Sequence, residues 1–119
     1  MRITAAAIAV HALLAATPAL AQQQAAVEGN WACRANIDGS KAGILTIFSG
    51  SYGYASANFG SSASGTGTVQ MYSDGVTFLD GNLLQNAGVE VALMGMDDQG
   101  RDILSLNTAE KPILTCVPR

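Results

Sequence analysis

Two thiols, a few carboxylates and three tyrosines are the side chains in this sequence with chemistry to offer. Cys33 stands in "GNWACRA", two residues after the only tryptophan, Trp31, and Cys116 stands in the closing "TCVPR". A thiol pair can act as nucleophile and resolving partner, as metal ligands, or as a disulfide. The first two roles need company that is missing here: there is no Cys-x-x-Cys spacing, and the only histidine, His11, lies near the start of the chain. That histidine falls in the segment expected to be removed on export, so a Ser-His-Asp or Cys-His arrangement has no base poised near neutral pH in the mature chain. Asp80 with Glu90 is the least implausible general acid–base pair, but nothing in their positions sets them face to face. Asp97, Asp98 and Asp102 in "DDQGRD" lack the alternating acids and closing glutamate of a calcium loop, and read as a solvated turn. "SSASGTG" lacks the lysine of a phosphate-binding loop. Met94 and Met96, two apart, read as strand packing, with copper binding as the remote alternative in an exported protein. The sequence therefore predicts no catalytic residue, no metal site and no cofactor.

The compartment decides what the thiols do. Residues 1–21, "MRITAAAIAVHALLAATPALA", place Arg2 before an apolar stretch that ends in Ala19-Leu20-Ala21. That is the layout of a secretory signal peptide cut before Gln22, bacterial in style, with the periplasm or the medium as destination. The apolar stretch is interrupted by His11 and Thr17-Pro18 and falls short of the ~20 residues of a spanning helix, so no membrane span is expected after cleavage. In an oxidising compartment, an even cysteine count predicts a Cys33–Cys116 disulfide. All nine acids lie beyond the leader, and Arg2 leaves with it, so the mature chain is one unit more acidic than the −3 of the whole. Nucleic acid and anionic membrane surfaces, which call for a strongly basic face, are poor partners for such a chain.

The elements that must position these residues are strands. Residues 22–28, "QQQAAVE", read as a flexible lead, and residues 29–119 as one domain. From Asn30 on, short apolar stretches alternate with Gly, Asp, Asn and Ser, and all 13 glycines fall in this part. The pattern predicts strands over 30–37, 42–48, 51–57, 67–72, 76–80, 89–96, 102–106 and 112–117, joined by turn-forming pairs such as Asp-Gly. Residues 82–86 fit either a short strand or a helical turn. Consecutive strands with tight turns pair antiparallel as a meander. A disulfide between the first and last strands requires those two to be neighbours. The predicted fold is thus all-β, a small antiparallel up-and-down barrel of about eight strands closed by its own ends. Alternation puts Trp31, Cys33, Ala35 and Ile37 on one face of the first strand, and Trp31, Ile37, Phe78 and Met94 are expected to fill the interior.

Gly29-Asn30-Trp31 at the head of the first strand resembles the Gly-x-Trp signature of lipocalins and their calycin relatives. That resemblance implies a tryptophan closing one end of the barrel and a basic residue of the last strand packed across it, for which Arg119 is the nearest match. The chain from Gly29 to Arg119 is also similar to a loose set of small exported bacterial proteins, through "WAC", "GTGTV", "DGVTFLDGNL" and "TCVPR". A third resemblance is to small bacterial inhibitors of secreted metalloproteases, which share the leader, the early Gly-x-Trp, a calycin-like barrel and one disulfide. It implies an N-terminal segment, here "QQQAAVEG", that enters a protease cleft. Their disulfide closes a short local loop, whereas these cysteines stand at opposite ends of the domain.

For binding, Trp31, Tyr52, Tyr54 and Phe59 are the candidates: the last three border the long "NFGSSASG" loop and could line a barrel mouth or a protein contact. The simpler reading of Tyr52 and Tyr54 is that they share a strand face and fill one side of the barrel. The expected function is a non-catalytic binding or structural module of the cell envelope, monomeric, acting on a protein or a small apolar ligand. Protease inhibition through the lead and carriage of a small apolar ligand are the alternatives.

Overall fold

In the computed structural model, residues 26–119 are described; the leader assigned to residues 1–21 and the first four residues of the lead lie outside the described residues. The strands are β1 (Gly29–Ala35), β2 (Lys41–Phe48), β3 (Ser51–Ser56), β4 (Gly65–Tyr72), β5 (Gly75–Phe78), β6 (Val89–Met96), β7 (Asp102–Thr108) and β8 (Pro112–Pro118), with one helical turn, α1 (Asn82–Gln85), between β5 and β6. Each strand pairs antiparallel with the next, and β8 returns to β1, so the sheet closes into an eight-stranded up-and-down barrel. The seam is in register from Trp31 opposite Pro118 to Ala35 opposite Leu114. Cys33 faces Cys116 directly across it, and their sulfurs are bonded, linking positions 83 apart in sequence.

The alternation predicted from sequence sorts the two faces of the sheet. Among the described residues, sixteen apolar side chains are buried in one cluster and no polar or charged residue is buried with them. Trp31, Leu45, Ile47, Tyr52, Phe78 and Leu106 are among them. Val27 and Leu83 cap this core from outside the strands, and both are at most 1% exposed. Val27 stands two residues before the start of β1, whereas α1 follows β5, which places the two caps at opposite ends of the barrel.

Ile37 differs from its expected place: it is 91% exposed rather than inside. β1 stops at Ala35, where the chain turns back through Asp38 and Gly39; Gly39 N–H donates to Ala35 O and Ala35 N–H to Ser40 O. Alternation carries no information past the residue where pairing ends. Met94 packs against the core while remaining partly exposed. Residues 82–86, undecided between strand and helix, contain α1, and Gly88 N–H closes its C-terminal end on Leu84 O.

The lead contributes more than length. Trp31 Nε1–H donates to Val27 O at 2.8 Å, tying the segment before β1 to the core. Glu28 accepts the Ser49 N–H at 2.6 Å, which fastens the Ser49-Gly50 turn between β2 and β3, where both residues have positive φ.

Candidate functional site

Of the four aromatic candidates, three are walls and one is a tip. Trp31, Tyr52 and Tyr54 lie in the core, whereas Phe59 stands fully in solvent on the β3–β4 loop. The structure therefore does not gather them at a common mouth.

Tyr52 ties the barrel wall to α1. Its ring meets Phe78 edge-on, with centroids 5.0 Å apart, and lies so close to Gly67 that a side chain there would strike it. Its hydroxyl donates to Asp80 O at 3.0 Å and accepts the Leu83 N–H at 3.3 Å. Burial pushes the phenol of Tyr52 above its ordinary range, and the same cause acts on Tyr54, so both hydroxyls stay protonated donors at neutral pH. Replacing Tyr52 by Phe removes a shared donor and acceptor while keeping the ring. The expected loss is about 1–2 kcal/mol, read as a lower urea midpoint with an unchanged slope.

The acids singled out in the sequence are engaged in local structure. Both carboxylate oxygens of Asp80 accept from Thr68, one from its N–H and one from its hydroxyl, at 2.7 and 2.9 Å. Asp97 organises the β6–β7 turn, accepting from Gln99 N–H and Arg101 N–H and pairing with Arg101 Nε at 2.8 Å. The Arg101 N–H bond, with the guanidinium beside it, holds its carboxyl below the ordinary value of 3.8.

The feature that sequence reading missed is on the outside. A groove of about 620 Å³ crosses β8, β1, β2 and β3 on the outer face, over the seam that the disulfide closes. Its floor is one row of outward residues in direct register, with Val117 opposite Ala32, Ala32 opposite Ile44 and Ile44 opposite Ala55. Two residues along the strands, the next outward row brings Thr115, Arg34 and Lys41 side by side. On the other side of the floor stands Arg119, whose N–H donates to Asn30 O.

A bulge shapes the hollow. Cys33 pairs with Gly43 but Arg34 pairs with Lys41, so Ala42 is an extra residue in β2. Such an insertion bends the strand and sharpens its twist. The Ala42 carbonyl is held in place by Tyr54 Oη at 2.9 Å and Ala57 N–H at 2.8 Å. Gly43 is needed beside it, because a Cβ at that position would lie 2.8 Å from the Tyr54 ring. With Ala32, Gly43, Ala55, Ser56 and Ala57 all small, the outer wall stays concave.

Arg119 corrects one expectation. The calycin resemblance implies a basic residue packed across the tryptophan, but Trp31 points inward and Arg119 lines the outer groove. Comparison with known proteins adds nothing to this description. No protein family, no curated protein and no solved structure matches the chain. What the groove suits must be read from its own shape and charge.

Arg34, Lys41 and Arg119 are three of the six cations in the whole sequence. They collect on one surface of a chain whose net charge is −3. Among the described residues the one ion pair is Arg101 with Asp97, so none of the groove cations is engaged in an ion pair. Arg34 is steadied by donating from Nη1 to Gly39 O at 2.8 Å.

Proposed function

We propose that this protein is an exported, non-catalytic binding module of the bacterial cell envelope, built on a calycin-like barrel, that engages a partner through its outer face. The observation that carries the reading is the groove: a concave apolar floor between cations, on a chain that is otherwise acidic. Phe59 adds weight, because it stands in solvent two residues beyond Ala57, which lines the groove, and buried aromatics are the usual anchors of protein contacts. The loop that carries it is braced from α1 and the residue that caps it, where Asn82 and Asn86 donate to Ser64 O and Ser62 O.

The two alternatives have less support. Carriage inside the barrel needs space that sixteen buried side chains occupy, the two end caps among them. Inhibition through the lead needs a free N-terminal segment, and its last two residues are bonded into the barrel. An aqueous setting suits the outer surface, which carries Thr46, Thr66, Thr68, Gln70 and Glu90 as exposed strand residues around an apolar core. A membrane barrel has the opposite distribution.

Photo-crosslinking in the exporting cell tests the reading. A benzophenone amino acid at Ala55, in the groove, is expected to give a discrete adduct, whereas the same probe at Gln70, on outer-facing β4, gives none. Equal labelling at both positions, or none at Ala55, would overturn it.

A further inference from the structure

Accepting the groove as the binding face, we infer that its occupant is an extended acidic segment of a partner protein, with the pattern acid-x-apolar-x-acid, lying along the strands. Three successive outward rows carry the inference. Arg34 and Lys41 form the first, Val117, Ala32, Ile44 and Ala55 the second, and Arg119, level with Asn30, the third. From Arg34 to the level of Asn30 is four residues along β1, about 13 Å at the rise of a strand.

An extended peptide has the same rise and the same two-residue alternation as the strands beneath it. If its side chain at position i faces the groove, those at i+2 and i+4 do as well. A carboxylate at i then meets Arg34 and Lys41, an apolar side chain at i+2 rests on the floor, and a carboxylate at i+4 meets Arg119. A single-headed amphiphile such as a fatty acid matches the floor but has no group for the second flank. Addition of the segment as a further strand is not available at this place, because the barrel is closed and the backbone groups of β1 already pair with β2 and β8.

The test titrates the oxidised, ¹⁵N-labelled protein with a capped peptide, Ser-Asp-Thr-Leu-Thr-Asp-Ser, at low salt. Parallel titrations use the Asn-for-Asp analogue and dodecanoate. The acidic peptide is expected to move the amides of Ala32, Arg34, Ile44 and Val117 and to leave those of β5 and β6 in place. The Asn analogue should bind at least tenfold more weakly. Arg34→Glu with Lys41→Glu should weaken the acidic peptide at least tenfold, and Arg119→Glu by a smaller factor, since it stands alone on its flank. If the variants fold poorly, salt serves in their place: ~0.5 M NaCl should weaken the unaltered complex several-fold by screening exposed charge. Equal binding of the Asn analogue, groove shifts with dodecanoate but not with the peptide, or no peptide shifts at all would overturn the inference. An adduct at Ala55 alongside a failed titration would leave the binding face standing and refute only the acidic segment.

Discussion

Removing the disulfide, as Cys33→Ala with Cys116→Ala, is expected to lower stability by about 4 kcal/mol and the melting temperature by roughly 15–30 °C. The bond closes a loop spanning 83 positions. Constraining an unfolded chain over that length stabilises the native state by about 4.5 kcal/mol in the chain-entropy view. A domain of this size has a net stability of about 5–15 kcal/mol, so the loss is a large share of the whole. Both cysteines are buried in the core, and alanine at each position adds a small cavity to the deficit. The effect has a functional side. Thr115, Val117 and Arg119 stand on β8 or just beyond it, and Ala32 and Arg34 on β1, so the groove exists only while those strands stay paired. Differential scanning calorimetry of the variant beside the oxidised protein measures the stability change; a shift of only a few degrees would mean that the bond constrains little.

Trp31→Ala is expected to cost about 3–5 kcal/mol, the range for deleting a large buried aromatic. Trp31 is 3% exposed, sits opposite Leu45 and Pro118 on its two neighbouring strands, and holds Val27 through its indole N–H. The truncation therefore opens the core and frees the cap at that end in one step. Trp31→Phe separates the two contributions, since it keeps most of the ring and removes the donor. Its cost should be about 1–2 kcal/mol. Hydrogen exchange at Val27 and Glu28 should accelerate in both variants, while α1, at the far end, keeps its protection in the Phe variant. Unchanged exchange at Val27 in the Phe variant would show that the indole bond does not hold the segment.

The fold was legible because each strand carries its own short-range signature. Every predicted strand end lies within two residues of the observed one, since Gly, Asp and Ser mark turns whatever lies around them. Closure was legible for a different reason: two cysteines, one in the first strand and one in the last, leave an up-and-down meander few ways to satisfy both. Ile37 shows where this reasoning stops, because the residue after the last paired position follows the turn and not the alternation. Val27 and Glu28 show the converse. Nothing in "QQQAAVEG" announces that two of its residues will be fixed by an indole and a backbone amide far along the chain.

The groove was not legible for physical reasons. Net charge sums over the surface, and a chain at −3 gives no hint that three cations converge. Arg34 and Lys41 are brought side by side by a bulge, which depends on one extra residue in β2 and not on any motif. Arg119 joins them only because the barrel closes. The small residues that hollow out the wall look, in sequence, like ordinary alanines and glycines between strands. Aromatic residues drew notice instead, and three of the four serve the interior.

Everything on the outer face depends on β1 and β8 lying side by side with Cys33 opposite Cys116. The most direct measurement is the pattern of nuclear Overhauser contacts across that seam in the oxidised protein. A contact between the α-protons of Cys33 and Cys116, with further cross-strand contacts from Ala32 to Val117 and from Arg34 to Thr115, is the expected result. Contacts from β1 to β2 without any to β8 would contradict the closed barrel and dissolve the groove with it.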